Sequence, residues 1–252
     1  MLYSFKRGEP TYGYVVLVHG LGEHTGRYEA LIEEIISKGL AVIGFDLPGH
    51  GQSGGRRGDT SIEEAINIID ELTKNIEKFR LFGHSLGGLI AIRYTEERPQ
   101  RVEKLVVSSP ALLVRPTTSQ RVLLALLSKI APFVTVDNGI DPSKLSRSRE
   151  AVERYLSDPL VHDRISVRLG ESLLRNIKKA HEETDKIVCP ISLFVGTADS
   201  ITPPEGARTF YERLKNPRKK ILEFPDGYHE LFEDPQHASS FRVALTKELL
   251  EI

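Results

Sequence analysis

The chain has one cysteine, Cys189, which excludes an intrachain disulfide and any Cys-x-x-Cys metal or redox pair. It precedes Pro190 at the head of an apolar run and reads as a small buried residue. Tryptophan is absent, methionine occurs once, and asparagine and glutamine total nine, five plus four. So few thermolabile residues in a chain rich in Glu, Lys and Arg is the profile of a thermophile. No apolar run reaches the roughly 20 residues that cross a bilayer. The opening MLYSFKRGEP has no apolar segment of signal-peptide length. An excess of either charge is missing too: 34 basic residues against 35 acidic ones leave a net charge of -1. Bulk attraction to nucleic acid or to an anionic membrane is therefore not expected. Together these absences predict a soluble cytoplasmic protein with no nucleic-acid partner.

What the chain does have is alternation. Its 252 residues suit one large domain with an insertion. Residues 12–18 are a β-branched run ending in the loop His19-Gly20-Leu21-Gly22. Residues 27–38 carry Tyr28, Leu31, Ile32, Ile35 and Ile36 on one helical face, closed by Gly39. A second buried run follows at 40–45. Ser61 and Glu64 form a capping box that opens a helix with Ile62, Ala65, Ile66, Ile69, Leu72 and Ile76 on one stripe. A strand at 78–82, a helix at 86–97 and a strand at 102–108 complete the first half. Buried strands alternating with amphipathic helices predict an α/β fold, a mostly parallel sheet with helices on both faces. Such sheets bind ligands beyond the carboxyl ends of their strands, where Leu21, Ser85 and Ser109 fall.

After Pro110 the alternation stops. Residues 112–185 show no clear strand. Residues 121–136 are apolar nearly all round and too short to span a bilayer, while 148–155 and 166–179 look helical. The pattern resumes with a strand at 191–195, a helix at 205–214, a strand at 220–224 and a helix at 236–250. The expected organisation is a core of 1–111 and 186–252 interrupted by a helical cap, 112–185.

Residues 80–89, RLFGHSLGGL, hold the motif Gly83-His84-Ser85-Leu86-Gly87 between an apolar strand and a helix. In a nucleophile elbow the small residues let the backbone double back, and the serine hydroxyl projects clear of the sheet. A serine is a poor nucleophile until a base takes its proton. An imidazole does so near neutral pH, and a carboxylate on its other nitrogen fixes the tautomer. Asp199 and His229 each follow a late strand, giving the chain order Ser85, Asp199, His229. The other seven histidines lie upstream of the serine, beside it, in the insertion or in the last helix. Asp226-Gly227 reads as a turn that positions His229. The oxyanion is expected to meet the backbone amides of Leu86 and Leu21. The Leu21 loop lacks a P-loop lysine and a G-x-G-x-x-G, which argues against nucleotide binding.

These residues carry a resemblance. The run from His19 to Tyr28 is similar to the HGxGEHxGRY segment of monoacylglycerol lipases. Asp46-Leu47-Pro48-Gly49-His50-Gly51-Gln52-Ser53 resembles their D-x-x-G-H-G-x-S loop, and Gly83 to Gly88 their GHSxGG elbow. Ser157-Asp158-Pro159-Leu160 and Gly196-Thr197-Ala198-Asp199 also match. About a dozen residues precede the first core strand, so the family's leading hairpin is expected to be reduced or missing. The resemblance implies an α/β-hydrolase that cleaves monoacylglycerol-like lipid esters through an acyl-enzyme on Ser85, with no cofactor and no metal. Lysophospholipase and general carboxylesterase or thioesterase activities use the same triad, and an inert ligand-binding receptor can share the fold. The resemblance offers Glu23, Arg27, His84 and Tyr155 for the glycerol, though Glu23 and Arg27 would equally brace the oxyanion loop and Tyr155 would pack the cap. Leu123, Leu124, Leu126, Leu127, Ile130 and Phe133 would line an acyl pocket or hold the cap together. A partly exposed apolar cap face would also touch micelles or membrane surfaces transiently.

Overall fold

The computed structural model describes residues 1–118, 124, 126–128 and 130–251. Its strands are β1 (Ser4–Arg7), β2 (Tyr14–Val18), β3 (Ala41–Phe45), β4 (Phe79–His84), β5 (Val102–Ser108), β6 (Thr135–Asp137), β7 (Arg164–Ser166), β8 (Ile191–Gly196) and β9 (Lys219–Phe224). Seven of them form one sheet in the order β1-β3-β2-β4-β5-β8-β9, in which β1 alone runs antiparallel. β1 pairs with β3 from Ser4↔Phe45 to Arg7↔Val42 and forms one edge of the sheet.

The main helices are α1 (Glu29–Ser37), α2 (Ile62–Leu72), α3 (Leu86–Glu97), α4 (Arg149–Ser157), α5 (Val167–Glu182), α6 (Pro204–Arg213) and α7 (Ala238–Leu250). Alternate side chains on a strand point to opposite faces, and the core divides accordingly. Val16 and Val18 pack with α2, α3, α5 and α6, whereas Val15 and Leu17 pack with α1 and α7. Ser61 Oγ accepts the Glu64 amide at 3.1 Å, as the capping box predicts, but α2 ends at Leu72 and leaves Ile76 beyond its stripe. Parallel pairing brings the carboxyl ends of β2, β4, β5, β8 and β9 to one edge.

The insertion differs from a purely helical cap. β6 and β7 form a short antiparallel ribbon, missed because three-residue strands carry too few positions to show a period. α5 is also no detached lid. Its Leu169 and Ala180 are buried in the core layer, and Asn176 Oδ1 accepts a hydrogen bond from Arg93 Nε of α3 at 3.2 Å. Elsewhere the insertion is tied to core loops, with the His162 amide donating to Gly22 O at 2.9 Å and His24 Nε2 facing Asp158 Oδ2 at 2.8 Å. Among the described residues no helix is long and apolar enough to cross a membrane.

Candidate active site

Ser85 stands between β4 and α3 with φ 54° and ψ -118°, a backbone conformation that L-residues seldom adopt. Its neighbours explain how the chain turns there. A Cβ on Gly83 would lie 2.2 Å from Gly87 O, and one on Gly87 would lie 2.1 Å from Val18 O. Neither position admits a side chain. The Ser85 amide donates to Ser108 O at 3.0 Å, and the first α3 amide to close on the elbow is Leu89, on Ser85 O at 3.2 Å. The amides of Leu86, Gly87 and Gly88 therefore lie in the open first turn, at the positive end of the helix dipole.

Asp199 follows β8, and its carboxylate is saturated with donors. Oδ1 accepts the amides of Ile201 at 2.9 Å and Thr202 at 3.0 Å. Oδ2 accepts Thr202 Oγ1 and His229 Nδ1, both at 2.8 Å. With its proton on Nδ1, His229 keeps Nε2 as a base. Burial opposes charge on His229, but Asp199 outweighs it, and the His229 pKa lies above its ordinary value. Asp199 lies below its own ordinary value, again against burial, because of His229 and Thr202. Among the described residues no hydrogen bond joins Ser85 to His229; such bonds often tighten only when substrate is bound.

The other histidines are engaged elsewhere. His19 Nδ1 binds Gly20 O at 2.8 Å while Nε2 takes the Leu47 amide at 2.9 Å. His50, His181 and His237 bind the carbonyls of Pro48, Leu112 and Pro225. His84 packs 4.8 Å from the His229 ring. Burial first, then the charge of His229, push its pKa down to about 3, so the neighbour of the base stays neutral. Asp226 is exposed in the turn that leads to His229.

Ser85 opens on a cavity of about 800 Å³, whose wall includes Leu21, Leu86, Leu124, Leu127 and Asp199. Leu21 and Leu86 thus flank the serine. Leu126, Ile130 and Phe133 do not line this cavity: they are 64%, 79% and 55% exposed, on the outside of the insertion. Leu123 lies outside the described residues. Glu23, Arg27, His84 and Tyr155 are absent from the wall as well. Glu23 Oε1 accepts the Gly20 amide and Tyr28 hydroxyl, both at 2.6 Å. Arg27 Nη1 bridges Glu23 Oε2 at 2.7 Å and Glu230 Oε1 at 2.6 Å. Its guanidinium lies 4.7 Å above the Tyr155 ring. Glu23 and Arg27 spend their hydrogen bonds on the loop and on each other, which fits bracing. Sequence reasoning missed Glu230, which no local pattern links to Arg27. It missed Thr202 too, although a hydroxyl three residues after an aspartate and ahead of two prolines is a readable loop signal.

Three comparisons bear on this arrangement. Residues 9–236 match the Hydrolase_4 family, described as serine aminopeptidase, S33. The monoglyceride lipase of Homo sapiens is 33% identical over 231 residues, 87% of this chain and 76% of that protein. Phospholipase YtpA of Bacillus subtilis (strain 168) is 30% identical over 254 residues, 96% of this chain and 97% of that protein. A crystal structure of Paleococcus ferrophilus monoacylglycerol lipase superposes with a TM-score of 0.97 at 50% identity, covering 99% of this chain and 98% of that one.

Proposed function

Because the chain belongs to the Hydrolase_4 family, serine aminopeptidase S33, we propose that it hydrolyses monoacylglycerols to fatty acid and glycerol through an acyl-enzyme on Ser85. The chain is a carboxylic ester hydrolase of the α/β-hydrolase fold. The observation that carries the mechanism is the 2.8 Å hydrogen bond from His229 Nδ1 to Asp199, at the sheet edge where Ser85 opens on a largely apolar cavity. Ser85 Oγ attacks the ester carbonyl while His229 Nε2 takes its proton. The oxyanion is held by the Leu21 and Leu86 amides, and Asp199 stabilises the imidazolium. His229 returns the proton to the glycerol oxygen, which leaves. Water, deprotonated by His229, then attacks the acyl-enzyme and frees the fatty acid. Acyl transfer of this kind needs no cofactor.

Leu124 and Leu127 would face the acyl chain, each buried methylene contributing about 0.8 kcal/mol. Tyr155, just behind the cavity wall, would read the glycerol once bound substrate draws its hydroxyl in, while the buried His84 would act through its packing on His229, with Glu23 and Arg27 acting through the oxyanion loop. Tyr155 supports this, since its hydroxyl bonds to no described residue. The relative named a phospholipase favours lysophospholipid as the second reading. The exposed Leu126, Ile130 and Phe133 suit transient contact with a micelle or membrane surface. The free, buried Cys189 fits a reducing cytoplasmic location.

The test is direct. A fluorophosphonate probe should label Ser85, and Ser85→Ala, His229→Ala and Asp199→Asn should each lower kcat by about 10⁴ or more without unfolding the protein. A panel of mono-, di- and triacylglycerols, lysophospholipids and p-nitrophenyl esters should rank monoacylglycerol first. Full activity in Ser85→Ala would sink the mechanism, and a preference for lysophospholipid would replace the substrate.

A further inference from the structure

Among the described residues three that are not glycine have a left-handed φ: Ser85 at 54°, Ser109 at 44° and Asp226 at 56°. All stand just past the carboxyl ends of core strands β4, β5 and β9. Backbone of this kind persists only where its surroundings hold it. The elbow accounts for Ser85, and an exposed turn accounts for Asp226. Ser109 is buried, and nothing in the proposed mechanism uses it.

Its hydrogen bonds say what holds it. The amide donates to Phe194 O of β8 at 2.8 Å. The hydroxyl donates to the backbone carbonyl of His229 at 2.8 Å. The carbonyl accepts Thr202 Oγ1 at 3.0 Å. Its neighbours reach the other way: Ser108 O accepts the Ser85 amide, and the Ala111 amide donates to Ser85 O, both at 3.0 Å. Residues 108–111 therefore bond to the backbone of the serine, to the backbone of the histidine and, through Thr202, to the aspartate loop.

We propose that Ser109 is a positioning residue that fixes His229 relative to Ser85, with Thr202 as its second arm; this rests on the triad reading above. Thr202 Oγ1 lies 2.8 Å from Asp199 Oδ2, 3.0 Å from Ser109 O and 3.1 Å from His229 Nδ1, yet it carries one proton. The Nδ1 proton points at Asp199, so Thr202 meets Nδ1 as an acceptor and shares its own proton between the carboxylate and Ser109. Each donation to Ser109 O leaves the full carboxylate charge facing the imidazole. The left-handed turn at Ser109 aims its carbonyl at Thr202 while its hydroxyl anchors His229.

The rate of fluorophosphonate labelling reads the nucleophilicity of Ser85 whatever ester the enzyme prefers. It should be measured on the full chain and on Ser109→Ala, Ser109→Gly, Thr202→Val and Thr202→Ser, with melting temperatures to certify folding. Ser109→Gly adopts φ 44° freely, so it separates the hydroxyl from the backbone. Both Ser109 variants should slow labelling about tenfold and lower kcat on a p-nitrophenyl ester alike, with KM unchanged. Thr202→Val should be slowed in the same way and Thr202→Ser restored to within about twofold of wild type. Wild-type labelling by folded Ser109→Gly overturns the proposal. A wild-type chain that labels, but not at Ser85, overturns the triad reading and this inference with it.

Discussion

Arg27→Leu tests the bracing of the oxyanion loop. The Arg27, Glu23 and Glu230 side chains are 8%, 4% and 3% exposed, so the substitution strands two buried carboxylates. Removing one partner of a buried ion pair costs about 3–5 kcal/mol. The doubled negative charge puts this case near the upper end, and the leucine recovers part of the contact with the Tyr155 ring. In the wild type Arg27 overcomes burial and holds Glu23 down to about 2, below its ordinary 4.5. That contribution is present above pH 4.5 and is lost only as the pH falls towards 2. Without the guanidinium burial dominates, the folded variant binds more protons than the unfolded chain, and its stability falls as the pH rises through the carboxyl range. The difference should therefore be full at pH 8 and shrink at pH 4. Urea denaturation at both pH values reads it, provided the slope is unchanged. At pH 8 the loss corresponds to about 6–20 °C in Tm. Because Glu23 holds the Gly20 amide beside Leu21, kcat should drop equally on monoacylglycerol and on a p-nitrophenyl ester of the same acyl chain. A pH-independent loss below about 1 kcal/mol would mean the cluster behaves as a solvated surface bridge. A loss confined to monoacylglycerol would mean Arg27 reads the glycerol and does not brace the loop.

Since the His229 pKa lies above its ordinary value of 6.5 and only the neutral ring is a base, kcat/KM should rise with pH through a limb above 6.5; a limb centred below that value would contradict the Asp199 pairing. Tyr155→Phe should lower kcat/KM for monoacylglycerol by about 1–3 kcal/mol of transition-state binding and leave the p-nitrophenyl ester nearly untouched. Equal losses on both esters would remove Tyr155 from the glycerol site. Leu127→Asp should flatten the rise of kcat/KM with acyl length, whereas Ile130→Asp, on the outer face, should weaken vesicle binding and leave rates on soluble short-chain esters unchanged. A thermal midpoint within the mesophile range of about 45–65 °C would contradict the thermophile profile of the composition.

The sequence by itself determined the parts that depend on near neighbours. β-branched runs and helical stripes predicted β2 to β5, α1 to α3 and the return at β8, because a strand buried on both faces shows as a short continuous apolar run and a helix buried on one face as a stripe, both legible within about ten residues. The elbow was legible because Gly83 and Gly87 are demanded by contacts a few residues away or by the adjacent strand. The order Ser85, Asp199, His229 was legible because each follows a strand. What only the tertiary structure decided depends on residues far apart in the chain. The pairing of Arg27 with Glu230 spans 203 positions, and the bond from Ser109 to His229 spans 120. Which cap leucines face the cavity was equally hidden: residues 121–136 are apolar nearly all round, so their pattern names no inner face, and only the fold puts Leu124 and Leu127 on the wall and leaves Ile130 outside. A buried charge can be met by any opposite charge the fold brings to it, and the chain carries 34 cations and 35 anions with nothing local to mark which pair will meet.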